Sequence, residues 1–173
     1  LMIEMMAMLD DRFTLDMYLL TPGFASRKTS AYIETLKNQA SADTRITIHP
    51  PVSGNQLVTT INRYDMGVFL LPPVNFNYQN TLPNKLFDFI QARLAVAIGP
   101  TPEMAEIVRG YENGIVSEDF TPAGLARKLS PLTKSDIETF KKNSGRAAKE
   151  LNAENNRLVL QRLVAETMQR ISS

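Results

Sequence analysis

The sequence predicts an α/β fold in which a parallel sheet carries helices on both faces. Short strand-like segments alternate with longer segments of helical periodicity between residues 13 and 116. The run 66–71 is apolar almost throughout, which is typical of a strand buried on both faces. A chain of 173 residues suits one domain with a sizeable core. We therefore expect a single domain over residues 1–173, with its strands joined by right-handed crossovers.

The strands are predicted from runs of β-forming residues that end at turn-forming residues. Pro22, Pro50 and Pro72 each follow such a run, and proline cannot donate to a strand ladder. The predicted strands are 13–20, 45–49, 66–71, 95–98 and 114–116.

Helices are predicted between the strands and through the last third of the chain. Tyr32, Ile33 and Leu36 are expected on the inner face of the second helix, and the Ser53 hydroxyl is expected to cap the third. A helix is predicted to begin at Pro83, in the first turn, where proline is favoured. The other predicted helices are 1–10, 27–39, 102–109, 122–129, 134–142 and 155–171, the last with an apolar stripe of Leu160, Leu163, Val164, Met168 and Ile171.

The chain opens on a helical pattern, with Met2, Met5, Met6 and Leu9 at helical spacing. A parallel α/β domain of this kind should open on a strand. We therefore expect that the sequence lacks the first strand of its domain.

Charge and composition exclude several classes of function. The net charge is +1 and no basic stripe dominates, which argues against nucleic-acid binding. The chain has no cysteine, so disulfides and thiolate metal sites are excluded. No apolar run approaches the roughly 20 residues that span a bilayer, and no signal peptide is recognisable. We expect a cytoplasmic location, with membrane contact at the inner face only through parts outside this sequence.

Catalytic or metal-binding clusters are hard to assemble from the remaining residues. His49 is the single histidine and ends a strand before two prolines, so a structural role is expected. Glu103 and Glu106 share a helix face, but no histidine or third carboxylate accompanies them, and no metal site is predicted.

The run 80–88 carries the strongest functional signal. It follows an apolar strand and opens a helix, where free N–H groups and the helix dipole favour an anion. Lys85 adds a full positive charge at this place, and Asp88 lies three residues further along the same helical face. A cation for phosphate and a carboxylate for neighbouring hydroxyls together suit a nucleoside diphosphate.

The segments 80–96, 99–104 and 113–116 resemble the C-terminal domain of GT-B glycosyltransferases, most closely the retaining family 4 type. The likeness extends over nearly the whole chain. It implies a Rossmann-like half of a two-domain enzyme, with extra C-terminal helices. The family carries two glutamates separated by seven residues, and the matching positions here are Asn80 and Asp88.

The resemblance also implies roles for individual residues. Lys85 would stabilise the leaving diphosphate, Asp88 would hold the ribose, and Asn80 would orient the donor sugar. Asn80 carries no charge and cannot act as a base. The substrate-binding residues expected beside these are Pro83, Asn84 and Leu86 in the helical turn, Tyr78 in the preceding polar loop, and Val52 in the loop thought to hold the base.

As an enzyme, the parent protein would transfer a sugar from a nucleotide sugar to a hydroxyl acceptor without a metal or other cofactor. Its partner domain, the acceptor-binding N-terminal half, is absent from this sequence, so the chain alone is expected to be inactive. A second hypothesis is a non-catalytic binding or assembly module that has lost the chemistry. A nucleotide-sugar epimerase fits less well, because its additional histidines and carboxylates are not found.

Overall fold

A computed structural model of the chain describes residues 1–19 and 26–172. Within them, strands and helices alternate as far as residue 116, except that two helices lie between the third and fourth strands, and only helices follow. The strands are β1 (Leu15–Tyr18), β2 (Ile46–His49), β3 (Met66–Phe69), β4 (Ala95–Ile98) and β5 (Gly114–Val116). The helices are α1 (Met2–Met6), α2 (Arg27–Ala40), α3 (Gly54–Ile61), α4 (Phe76–Gln79), α5 (Asn84–Gln91), α6 (Pro102–Tyr111), α7 (Pro122–Leu129), α8 (Lys134–Glu150) and α9 (Ala153–Ser172).

All strand pairs are parallel, as predicted, but they form two short sheets. Strand β1 pairs with β2, so that Leu15 lies beside Ile46 and Tyr18 beside His49. Strand β4 lies between β3 and β5. The described residues therefore form a parallel α/β fold of Rossmann-like character, with its strands in two separate sheets.

The first face of both sheets packs against one apolar cluster. Leu15 and Met17 of β1 contact this cluster, as do Met66 and Val68 of β3. Because alternate residues of a strand point to the same side, these four side chains define the face. The buried residues of the cluster come mainly from α1, α2 and α7: Met5, Met6, Ala40, Leu125, Ala126 and Leu129.

The opposite, second face packs against α3, α5, α6 and α8. Val96 and Ile98 of β4 contact α5, α6 and α8, while Tyr18 of β1 contacts a smaller cluster with Tyr64 and the α3 residue Ile61. Helices therefore cover both faces, as the sequence predicted.

Helix α8 is tied to β4 by a buried hydrogen-bond chain. The Ser144 hydroxyl donates to the Leu94 carbonyl (2.6 Å) and accepts from the Asn113 side-chain amide (3.1 Å). Both side chains are fully buried, so each needs these partners. The bonds join the start of β4, the start of β5 and the middle of α8.

Several local predictions were wrong. Tyr32 is 63% exposed, because α2 contacts the rest of the fold mainly through its C-terminal end, at the buried Ala40. Ser53 precedes α3 without capping it, since its hydroxyl donates to the Asn55 and Gln56 side chains instead. Helix α8 continues beyond residue 142, because Ser144, Ala147 and Ala148 give it a buried side that residues of low hydrophobicity conceal in the sequence.

Two further predictions concern the ends of elements. The last predicted residue of the first strand, Leu20, lies outside the described residues. The final helix is present as α9, but its apolar stripe is exposed: Leu160, Leu163, Val164 and Met168 each show more than half of their surface. In residues 1–19 and 26–172 no helix combines the length and the apolar character that crossing a membrane requires.

The close contact of β4 and β5 predicts a strong effect of Gly114→Ala. A Cβ atom at position 114 would lie 1.8 Å from the Val96 carbonyl oxygen, so the two backbones would have to separate. We expect the free energy of unfolding to fall by about 3 kcal/mol in urea denaturation.

The matched control is Gly110→Ala in α6, where an added Cβ meets no atom within 4 Å. Gly110 lies in the last turn of α6 and its φ is not positive, so alanine should gain about 0.4–1 kcal/mol, chiefly by restricting the unfolded chain. Equal stabilities for the two variants would contradict the packing described for β5.

Candidate functional site

The candidate site lies beyond the carboxyl end of β3, where α/β sheets place their ligands. The chain leaves β3 at Phe69 and enters α5 at Asn84. The connection, predicted as a loop, contains the short helix α4, which is capped by the Asn75 side chain accepting from the Tyr78 N–H (2.9 Å). The short helix escaped prediction because its four residues have no apolar periodicity.

Close packing against β3 fixes the direction of α5. The Phe89 ring occupies the space of the missing side chain of Gly67, since a Cβ there would lie 2.2 Å from the Phe89 Cγ. Leu86 and Ile90 of the same helix are buried in the cluster on the second face. The first turn of α5 therefore starts from a fixed position at the end of β3.

No side chain caps the N-terminus of α5. Pro83 is the N-cap residue, one position earlier than predicted, and its carbonyl accepts from the Leu86 N–H (3.1 Å). Leu86, predicted to bind substrate, turns its side chain into the core. No acidic residue lies in the first turn to balance the helix dipole. The helix start can therefore accept an anion on the exposed side of Asn84 and Lys85.

Lys85 and Asp88 lie together at this helix start. The Lys85 ammonium is 5.3 Å from the centroid of the Phe69 ring, which places the charge beside the carboxyl end of β3. Asp88 is half-buried one turn further along. Burial raises the pKa of the Asp88 carboxyl above its ordinary value of 3.8, and the Lys85 charge opposes this shift.

Three other predicted residues lie in the segments leading into α5 and α3. Asn80 ends α4, is exposed, and donates its side-chain amide to the Phe76 carbonyl (3.0 Å). Tyr78 is 43% exposed within α4. Val52 is half-buried between β2 and α3, so its loop follows the carboxyl end of another strand.

A second cluster of polar side chains lies on β1 and β2. His49 pairs through Nε2 with Asp16, and its ring stacks on Tyr18 at a centroid distance of 4.8 Å. The Tyr18 hydroxyl is 2.8 Å from that of Tyr64, and Arg63 donates to both hydroxyls. The His49 ring is held by Asp16 and Tyr18, which fits the structural role expected of this residue.

This cluster was missed because its members are far apart in sequence. Strand alternation in the sequence does place Asp16 and Tyr18 on one face of β1. His49 joins them because it lies beside Tyr18 in the parallel pairing of β1 and β2. The register itself could not be derived from the sequence.

Glu103 and Glu106 line an open groove of about 480 Å³ with Leu82 and Tyr111. In the described part of the chain, no three His, Cys, Asp or Glu side chains are grouped so that they could hold a metal ion. The groove is acidic and therefore unsuited to phosphate.

The sequence matches no protein-family model, and no curated protein matches it significantly.

The pKa shift of Asp88 predicts a stability effect of Asp88→Asn. The pKa of Asp88 is higher in the folded protein than in the unfolded chain, so its protonated form favours folding. This contribution to the free energy of unfolding is complete below pH 3.8 and is lost as the pH rises through the folded-state pKa. The variant should therefore be more stable than the parent at pH 7, by less than about 1 kcal/mol because much of the carboxyl is solvated. Urea denaturation between pH 4 and pH 7 measures the difference, which should shrink towards pH 4.

Asp136→Asn provides a control of opposite sign. Hydrogen bonds from Thr133 lower the pKa of Asp136 in the capping box of α8. The ionised Asp136 carboxylate therefore stabilises the fold above pH 3.8, and this stabilisation is lost as the pH falls through its lowered pKa. The variant lacks the carboxylate and should be less stable than the parent at pH 7. If both variants change stability in the same direction, the burial assigned to Asp88 is wrong.

Proposed function

We propose that the chain is the donor-binding half of a retaining glycosyltransferase, with a nucleoside diphosphate sugar bound at the start of α5. One observation carries the proposal: the uncapped first turn of α5 holds the exposed Lys85 and, one turn on, the half-buried Asp88. The GT-B resemblance assigns phosphate and ribose to these two residues.

The diphosphate would lie against the N–H groups of Asn84 and Lys85. A lysine at a helix N-terminus is repelled by the dipole, by a few tenths of a kcal/mol at an exposed position. A bound anion between the ammonium and the N–H groups reverses this repulsion. During transfer the leaving diphosphate gains negative charge, and the same groups stabilise it without a metal.

The ribose would lie against Asp88. Burial leaves this carboxylate with less water than it prefers, which is why its pKa is raised. Two neighbouring hydroxyls of a ribose replace the lost water as hydrogen-bond donors. Binding should therefore favour the ionised form of Asp88.

The donor sugar would lie beside α4. The Asn80 amide nitrogen is engaged with the Phe76 carbonyl, which leaves the amide oxygen to accept from a sugar hydroxyl. Tyr78 offers part of a ring face nearby in sequence. These groups can orient a sugar but cannot remove a proton from the acceptor.

The remaining parts of the enzyme lie outside this chain. An acceptor-binding N-terminal domain would complete the active site, and the chain alone should bind donor weakly without turnover. We place the whole protein in the cytoplasm, where nucleotide sugars are used, either free or at the inner face of the membrane.

A non-catalytic binding module is the second candidate. The amide nitrogen at position 80, where the family has a carboxylate, is engaged within α4, and this favours a protein that binds without reacting. Joining the chain to its acceptor-binding domain separates the two candidates. Turnover of a nucleotide sugar supports the enzyme, and donor binding without turnover supports the module.

Titration with UDP, GDP and ADP, followed by amide NMR shifts, tests the donor site. We expect saturable shifts in residues 80–88. Lys85→Met keeps an aliphatic side chain against Phe69 and removes the charge, so diphosphate binding should weaken about tenfold while uridine binding changes little.

The matched control is Lys134→Met, which removes the lysine from the first turn of α8. This variant should bind diphosphates as the parent does. Equal weakening in the two variants would assign the effect to net charge, and no shift with any nucleotide would contradict the donor site.

A further inference from the structure

The ammonium of Lys85 lies against an aromatic ring, although it ends an exposed side chain. Its nitrogen is 5.3 Å from the centroid of the Phe69 ring, which is within the distance of a cation–π contact. Lysine has a long and flexible stem, so a lysine at a helix start would otherwise extend into solvent. The helix dipole also repels a positive charge at this place. The attraction of the Phe69 ring opposes both tendencies.

Phe69 is itself firmly held at the end of β3. It pairs with Ile98 in the ladder between β3 and β4, and its carbonyl accepts from the Gly99 N–H (3.3 Å). Its half-buried ring packs against the apolar cluster on the second face of the sheet. The ring is therefore a rigid support for a flexible side chain.

The contact between Lys85 and Phe69 follows from the packing of α5 on β3. Gly67 and Phe69 turn to the same side of the sheet, and the Phe89 ring fills the space beside Gly67. Helix α5 lies on the connection between the parallel strands β3 and β4, so it runs back along β3 in the opposite direction. Two residues forward along a strand span about 6.6 Å, and four residues back along a helix span about 6 Å. The position of Phe89 over Gly67 therefore brings Lys85 to Phe69.

We propose that Phe69 is a positioning residue for diphosphate binding, an inference that rests on the proposed function. Its ring holds the Lys85 ammonium beside the carboxyl end of β3, close to the free N–H groups at the start of α5. The ring covers one side of the ammonium and leaves the other side to phosphate oxygens. A charge that is held in place before the ligand arrives loses less conformational entropy on binding. Phe69 acts through Lys85 and does not bind the ligand itself.

An aliphatic side chain at position 69 could fill the same space but could not hold the charge. The attraction comes from the negative face of the aromatic ring, which leucine lacks. Phe69→Leu therefore keeps an apolar side chain on β3 and removes the contact with the ammonium. Phe69→Tyr keeps a ring at the same place. The two variants separate a positioning role from a purely structural one.

The first measurement is an NMR comparison of lysine side chains in the full chain without ligand. Protons held over the face of an aromatic ring resonate upfield. The Lys85 Hε protons should therefore lie upfield of those of Lys134, whose side chain is 91% exposed. This upfield shift should remain in Phe69→Tyr and disappear in Phe69→Leu. Equal Hε shifts for the two lysines in the parent chain would overturn the proposal.

The second measurement is titration with UDP, followed by amide NMR shifts. Phe69→Leu should weaken UDP binding about two- to fivefold, as expected for the loss of an exposed cation–π contact, and Phe69→Tyr should bind as the parent does. When Phe69→Leu is added to Lys85→Met it should have no further effect, because the ring acts through the ammonium. Unchanged affinity in Phe69→Leu, equal weakening in the Leu and Tyr variants, or weakening that persists without Lys85 would overturn the proposal.

The two measurements also distinguish a failure of this proposal from a failure of the donor site. A parent chain that binds UDP without the upfield Hε shift would retain the donor site and overturn the role of Phe69 alone. A parent chain that shows the upfield shift and yet binds no UDP would contradict the donor site, and with it the role of Phe69 in diphosphate binding.

Discussion

Burial of β4 is the constraint on which the rest of the fold depends. Its four residues are fully buried, with β3 and β5 as neighbours and helices over both faces. Such a strand cannot satisfy its backbone from water, so its register with both neighbours must be complete. Ala95 and Ala97 have small side chains, which lets the helices on the first face pack close to the strand. The Ser144 hydroxyl of α8 donates a hydrogen bond to the Leu94 carbonyl. Helices α5, α6 and α8 take their positions from this strand.

The candidate site inherits its geometry from that core. Strand β3 is held by β4, and α5 is held on β3 by the Phe89 ring over Gly67. Helix α5 then has a buried side and an exposed side. Leu86 and Ile90 face the core, whereas Lys85 and Asn84 are exposed. An anion at the helix start would therefore meet a pre-formed set of donors and would not have to order them.

Sequence patterns predicted correctly the elements whose bounds are set by neighbouring residues in the chain. Strands β4 and β5 and helix α7 have their predicted bounds, because apolar runs and an N-terminal proline specify them locally. The same patterns failed where a contact with a residue far away in the sequence determines the structure. Helix α8 is long because Ser144 and its neighbouring alanines meet β4, and the pairing of His49 with Asp16 depends on a register between strands. Lys85 and Asp88 were brought together by helical spacing alone, whereas the burial of Asp88 needed the tertiary structure.

The contact between Gly67 and Phe89 has an evolutionary consequence. A larger residue at position 67 would overlap the Phe89 ring, so the ring or α5 itself would have to shift. Positions 80, 84 and 85 are exposed, and changes there cost the fold little. Residues that hold the fold and residues at the exposed helix start can therefore change at different rates during evolution. The sequence at the exposed positions can change while the packing of α5 on β3 is retained.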